Sequence, residues 1–304
     1  MNVFSTKLQG LRLVWDATSL SSYMADPLSY YVKHLLGWGS DEEPLTFVFG
    51  RLYHSGVEDL WNGVPLAEVL TTMTGAAREL ELDRLVAEAP PTQARGRGTR
   101  ELARCLTWYY EWRRDADFEV LAQEEVLTRE LPPDPVTEEP RLWVGRIDAR
   151  ARFLDTGQVH VRERKTTNTT ITSGSYWAQF DPSLQVWGYD WLMGGSDTLS
   201  GRVVLEACQT GATFARFEQH VVTRTPTQRA AFEPLVCHWI DKASRDALHE
   251  TWFPNLAIKF PGDASRQMAK WAPEELRDRL AQTGEFAPGV WNPLTGARDW
   301  ATPK

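Results

Sequence analysis

The apolar period of this chain changes near Phe118, and that change constrains the fold more than any single motif. Upstream, Leu20, Tyr23, Met24, Leu28, Tyr31 and Leu35 recur at helical spacing. They predict a helix over Asp16–Leu36, capped by Asp16 or Thr18, despite Pro27. Further helices are predicted over Phe47–Trp61, ending at Asn62-Gly63, over Leu66–Ala89, and over Thr99–Trp112 after the Pro- and Arg-rich break Pro90–Gly98. Downstream the period shortens. Phe118–Leu127, Leu142–Leu154, Val159–Thr166, Gly201–Cys208 and Phe214–Thr223 read as strands, with a proline-rich loop at Pro132–Pro140. Trp177–Met193 contains a helix, and a long amphipathic helix runs from Pro226 to near Glu250. The tail from Pro254 reads as loop with one short helix starting near Pro273. Helices before and after a small mixed sheet predict an α/β fold with a helical N-terminal elaboration.

Composition narrows the function classes. A chain of 304 residues can bury a substantial core. No apolar stretch approaches a membrane span and Met1–Gly10 has no secretory pattern, so the expectation is a cytoplasmic protein without a membrane partner. Three widely separated cysteines, Cys105, Cys208 and Cys237, exclude a four-cysteine zinc or iron–sulfur site within one chain. A net charge of -8 argues against a passive, charge-driven nucleic-acid coat. It leaves room for an enzyme that grips a backbone through a local basic channel.

The chemistry concentrates in Gly145-Arg146-Ile147-Asp148 and Val161-Arg162-Glu163-Arg164-Lys165-Thr166, joined through the turn Asp155-Thr156-Gly157. Glu163 and Lys165 are two apart on a strand, so they share a face. A tight turn at residues 155 and 156 sets Asp148 across from Glu163. The apolar pattern pulls the other way: Ile147, Ala149, Ala151 and Phe153 would naturally lie with Val159 and Val161, on the face of Glu163. A bulge, or a sheet buried on both faces, removes the conflict. Two carboxylates beside a lysine suit metal-assisted phosphodiester cleavage, because hard oxygen ligands hold a divalent ion and the cation steadies developing phosphate charge. The same trio also suits an exposed hairpin laced with salt bridges.

The order of the flanking motifs is similar to that of the RecB-like branch of the PD-(D/E)xK nucleases, which includes helicase-associated nuclease domains, phage exonucleases and CRISPR-associated exonucleases. Its FGxxxH motif matches Phe49-Gly50-Arg51-Leu52-Tyr53-His54, and its GRID and ExK motifs match Asp148, Glu163 and Lys165. Its QxxxY motif matches Gln185-Val186-Trp187-Gly188-Tyr189, and its opening helix with a Tyr-Tyr pair is echoed by Thr18–Tyr23 and Tyr30-Tyr31. The likeness covers roughly residues 16 to 193. It implies a restriction-endonuclease-like core over residues 118–260, a helical region over 1–117 contributing His54, and a loop-rich tail over 261–304. It also implies Mg2+ or Mn2+ held by His54, Asp148, Glu163 and the Arg164 carbonyl, with Lys165 as the catalytic lysine. Gln185 and Tyr189 would bind phosphate or orient Lys165, and Glu125 is an accessory acid. The four cysteines many CRISPR-associated relatives carry are missing, so no iron–sulfur cluster is expected.

The reaction so implied is DNA hydrolysis, by an exonuclease acting on ends or single strands in recombination, repair or phage DNA processing. The alternatives are a structure-dependent endonuclease, a nuclease subunit of a helicase complex, and an idle DNA-binding or scaffolding module. Arg95, Arg97, Arg100 and Arg104, followed by Trp108, Tyr109, Tyr110 and Trp112, could form one basic and aromatic strip. Arg146 and Arg162, within a second set that includes Arg150, Arg152 and Arg164, could form another. A helicase, recombinase or single-strand-binding partner fits this reading, as does a homo-oligomer.

Overall fold

In the computed structural model, which describes residues 2–39, 43–194, 199–253, 255, 287–288, 290–295 and 297–299, the first helix starts at the Asp16 cap. The Asp16 carboxylate accepts the Ser19 N–H at 2.7 Å, and Ser19 Oγ accepts the Asp16 N–H at 3.1 Å. This helix, α1 (Ala17–Ala25), follows strand β1 (Val14–Trp15) and stops well short of Leu36. Pro27 has no N–H to continue it, so the backbone turns extended at Asp26 and restarts as α2 (Pro27–Tyr30), which runs into a π-helical turn at Tyr31–Leu35.

After β2 (Trp38–Gly39) come α3 (Leu45–Trp61), α4 (Leu66–Glu79), α5 (Leu82–Glu88), α6 (Pro91–Ala94) and α7 (Thr99–Trp112). The helix expected over Leu66–Ala89 is therefore two, divided where Glu81 takes a left-handed φ of 51°. Strands β3 (Phe118–Leu131), β4 (Arg141–Phe153) and β5 (Val159–Thr167) follow. Next are α8 (Gly174–Ala178), α9 (Leu184–Met193), β6 (Leu199–Thr210) and β7 (Ala215–Thr223). Helices α10 (Pro226–Ala230) and α11 (Phe232–His249) and short strands β8 (Ala287–Pro288), β9 (Val290–Asn292) and β10 (Ala297–Asp299) complete the order. The helix expected near Pro273 lies outside the described residues. Strands in the hydrogen-bonded order β1-β4-β5-β6-β7, with β3 also on β4, form a mixed central sheet flanked by helices, as the change of period predicts. Among the described residues no helix is long and apolar enough to cross a membrane.

Two compact units share the chain, and both are discontinuous in sequence. The first comprises Met1–Glu42, Val126–Arg146 and Thr225–Lys304. Its core is aromatic: Trp15 stacks on Tyr30 at 5.4 Å, and Trp143 meets Phe232 edge-on. There β1 pairs in parallel with the start of β4, and buried Arg141 is held 2.6 Å from Asp241.

The second unit, Glu43–Glu125 and Ile147–Arg224, contains the carboxylate–lysine hairpin. Helices α3, α4 and α7 bury Val57, Leu60, Met73 and Leu106 in one core. They approach so closely at Gly56 that a Cβ there would lie 2.7 Å from Leu106 Cδ2. The hairpin turn is wider than the tight turn expected. Phe153 N–H donates to Gln158 O across the four residues 154–157, and Gly157 supplies the left-handed φ of 68°. Both turns are centred between residues 155 and 156, so they give one register: Ala149 faces Arg162, Arg150 faces Val161, Ala151 faces His160 and Arg152 faces Val159. Residues directly across share a face. Asp148 therefore lies with Val159, Val161 and Glu163, while Ala149 and Ala151 lie with His160 and Arg162. The apolar pattern misleads here because β5 is buried on both faces from Val159 to Arg164, so alternation carries no inside–outside signal.

On the Ala149 face, the buried Arg162 guanidinium sits 2.7 Å from Glu206 and 3.6 Å from the Phe118 ring centroid. Arg162→Met leaves the Glu206 charge uncompensated and should cost about 3–5 kcal/mol of stability. Adding Glu206→Leu should recover most of that loss. Urea denaturation of the single and double variants measures both, and an additive double variant would refute the pairing.

Candidate active site

The site begins where the β4–β5 ladder parts. Hydrogen-bonded pairs alternate along an antiparallel ladder, so the bond at Phe153 and Gln158 is followed by Ala151–His160 and Ala149–Arg162, and would next join Ile147 to Arg164. Instead the Arg164 N–H donates to Asp148 Oδ2 at 2.6 Å. The carboxylate takes a donor that the ladder would otherwise use, and the strands separate beside it. One residue further on in this register stands Glu163, buried at 3% exposure, with Lys165 two residues along the same strand face.

Strand β5 pairs in parallel with β6, Glu163 against Leu205 and Lys165 against Ala207, so both residues sit on an interior strand. Helix α9 begins at Ser183, whose hydroxyl accepts the Val186 N–H, and places Gln185 and Tyr189 one turn apart. Lys165 Nζ donates to Glu163 Oε1 at 2.6 Å and to Gln185 Oε1 at 2.9 Å. Gln185 Nε2 donates to Glu163 Oε1 at 3.0 Å and to Tyr189 Oη at 2.9 Å. The chain Lys165–Gln185–Tyr189 thus fixes one oxygen of Glu163. The other, Oε2, is buried with no hydrogen-bond partner.

Helix α3 brings in His54. At Gly50, one turn earlier, a Cβ would only just touch Thr166 Oγ1, at 3.5 Å, so the helix lies against β5. His54 Nδ1 is then 3.5 Å from Asp148 Oδ1. The buried Arg164 guanidinium donates to Asp148 O at 3.2 Å and to His54 O at 3.4 Å, bridging α3 and β4.

These neighbours drive the two carboxyls apart in acidity. Burial opposes the Asp148 charge, but His54 and Arg164 outweigh it and hold the carboxyl well below the usual range. For Glu163, burial and then the Asp148 charge push the carboxyl up to about 7, and Lys165 offsets them only in part. Burial works against His54 and Lys165 as cations, yet Asp148 raises the first and Glu163 the second.

The structure thus brings together His54, Asp148, Glu163, Arg164, Lys165, Gln185 and Tyr189. Glu125 is different. It pairs with Arg150 at 3.0 Å, whereas it is Glu124 whose carboxyl is raised, by burial and then by Asp148. Glu124 takes a left-handed φ of 49°, which breaks the alternation of β3, and no motif marks it. The first basic strip does not form as expected. Arg97 is buried and donates to Gln93 O, and Arg104 is spent on the carbonyls of Gly211 and Ala212; Arg95 and Arg100 remain exposed. Arg162 is corrected too, since burial against Glu206 withdraws it from solvent, while Arg146 is exposed.

Among the described residues no group of three or more His, Cys, Asp and Glu side chains stands in a ready metal-holding arrangement. The donor chemistry nevertheless fits a divalent cation at two points. Glu163 Oε2 is an orphaned buried oxygen, and Asp148 keeps its charge beside it in the register.

A family model described as the PD-(D/E)XK nuclease superfamily matches residues 15–285. No curated protein matches the chain. Among solved structures, the chain is similar to a Eubacterium rectale protein with a provisional exonuclease designation, at 12% identity over 84% of this chain and 88% of that one, with a TM-score of 0.47. It is similar also to a protein designated SSO0001, at 12% identity over 78% of this chain and 86% of that one, with a TM-score of 0.27.

Glu163 holds its proton in the folded chain at pH values where the unfolded chain, near 4.5, has lost it. Its contribution to stability is therefore complete below about 4.5 and lost as pH rises through about 7. Without divalent ions, Glu163→Gln should melt above the wild type at pH 8, and the gap should shrink toward pH 5. Thermal melts across that range check the sign, and a gap independent of pH contradicts a buried proton on Glu163.

Proposed function

The chain belongs to the PD-(D/E)XK nuclease superfamily, and from that premise we propose that it is a magnesium- or manganese-dependent deoxyribonuclease, an exonuclease of the RecB-like branch. The observation that carries this reading is the placement of Lys165 Nζ, which donates to Glu163 Oε1 at 2.6 Å and to Gln185 Oε1 at 2.9 Å. A lysine held so, next to a carboxyl with one orphaned oxygen, has little purpose in a surface hairpin.

Asp148, Glu163 and His54, with the Arg164 carbonyl, would hold the divalent ion. Once bound, that ion supplies Lewis acidity toward the phosphate and acidifies a water. Holding it requires Glu163 to give up its proton, and burial with the Asp148 charge moves that loss up to about pH 7. Lys165 orients the attacking water or meets the charge that develops on a phosphoryl oxygen. Gln185 fixes the ammonium through its carbonyl, and Tyr189 fixes the Gln185 amide the right way round. Glu124 adds negative charge near Asp148 and His54. Arg95, Arg100, Arg146 and Arg152 are the exposed arginines of the two sequence strips, and these would meet a phosphate backbone. DNA ends or single strands are the substrate this reading favours, with trimming during recombination, repair or phage DNA processing as the setting. A helicase, recombinase or single-strand-binding protein is the partner expected.

Purified protein incubated with Mg2+ or Mn2+ and end-labelled linear single-stranded and duplex DNA should shorten the strands from their ends and leave closed circles intact. Lys165→Ala should lower the rate roughly 10²–10³-fold, the scale of losing one positioned electrostatic donor. Equal rates in both proteins would sink the mechanism, and cutting of closed circles would replace the exonuclease assignment with an endonuclease.

A further inference from the structure

Among the described residues, Arg164 is the one buried arginine whose backbone and side chain both contact Asp148. Its N–H goes to Asp148 Oδ2 at 2.6 Å, and its guanidinium reaches Asp148 O at 3.2 Å and His54 O at 3.4 Å. At 3% exposure it is cut off from solvent and from any substrate. Its neighbour Arg162, equally buried, spends its charge on Glu206 instead. A surface role or simple charge balance would not require a guanidinium to grip two main-chain carbonyls on separate elements.

We propose that Arg164 is a positioning residue that sets the separation of His54 from Asp148 by tying the α3 main chain to β4. The proposal rests on the nuclease reading for its consequence, though not for its geometry. Helix α3 and strand β4 share no ladder, and His54 reaches Asp148 only because the helix lies at a particular height over the sheet. Helix α3 lies against β5 at Gly50, where a Cβ would be in ordinary contact with Thr166 Oγ1, and the Arg164 fork ties it down at His54 itself. The planar fork can donate to two carbonyls at once in a fixed geometry, whereas an ammonium on a flexible stem holds no such angle. Arg164 therefore stands to the metal donors as an outer-shell partner stands to its ligand. Changing such partners typically weakens metal binding tenfold to a hundredfold.

The test is a double-mutant cycle on the full chain, with Mn2+ affinity read by electron paramagnetic resonance of the free ion. Arg164→Lys should weaken Mn2+ binding roughly ten- to a hundredfold. In a His54→Ala background, where there is no ring to place, the same change should have almost no effect. A crystal structure of Arg164→Lys should show the His54 Nδ1–Asp148 Oδ1 separation, 3.5 Å here, widened by about 1 Å, a displacement sufficient to cost catalysis. An unchanged separation, or an equal loss of affinity with and without His54, overturns the proposal. Arg164→Gln, which keeps one donor group and no charge, carries the same expectation; if neither variant folds, the residue is structural and the positioning role is wrong. The two readings fail separately: a wild type that cuts no DNA, with a widened separation in Arg164→Lys, leaves positioning intact and removes the nuclease. A wild type that cuts, with a variant unchanged in both readouts, does the reverse.

Discussion

The Arg164 N–H donates to Asp148 Oδ2 rather than to the main-chain carbonyl that the ladder would supply. Much of the second unit is arranged around that exchange. It holds the carboxylate at the point where β4 and β5 part, and leaves the other oxygen toward His54. It also anchors Arg164, whose side chain then points to the opposite face of β5 and bridges two carbonyls. One residue thus joins strand to strand through its backbone and helix to strand through its guanidinium. Such a bond is worth more in the interior than on the surface, since both partners would otherwise be buried unpaired.

The same enclosure makes the site electrostatically unfavourable on its own. Asp148 and Glu163 face a common side of the hairpin, and Glu163 is buried without full compensation. The conflict is resolved unequally. Asp148 has His54 and Arg164 and stays charged, whereas at Glu163 burial and the Asp148 charge outweigh Lys165 and the weaker pull of His54, and the carboxyl keeps a proton to about neutral pH. Like carboxyls are commonly separated in this way when they share a site. A divalent cation would relieve that repulsion and meet the orphaned oxygen of Glu163. Strain kept at a site and offset by packing elsewhere is a common accompaniment of function. Here the apolar core of α3, α4 and α7 lies in the same unit, with Phe49, Tyr53 and Tyr109 among its aliphatic side chains.

Much of this was legible in residue order. The helix cap at Asp16, one of two candidates with Thr18, the mixed sheet after Phe118 and the one-turn spacing of Gln185 and Tyr189 follow from local rules, and the structure has each of them. The register of the β4–β5 hairpin stays open in the sequence between the turn and the apolar pattern, and only the folded ladder decides it. Where reading failed, the cause was specific. Pro27 and Glu81 divided helices that periodicity joined. The paired acids at 124 and 125 look equivalent in sequence, and a single left-handed residue decides which of them feels Asp148. The arginines of the hairpin alternate in a pattern that suits a basic groove, yet Arg162 and Arg164 turn inward to Glu206 and to two main-chain carbonyls.

The sequence by itself determined which chemical groups the chain has and the order in which helix and strand present them, because spacing along a helix or strand dictates which side chains share a face. The tertiary structure alone decided which of those groups are charged, which are buried and which meet. Those properties depend on the burial of β5 on both sides, on the height of α3 over the sheet and on where one ladder opens. None is a property of a local stretch: each depends on contacts between residues as far apart as His54, Asp148 and Arg164, which only the folded chain brings within reach.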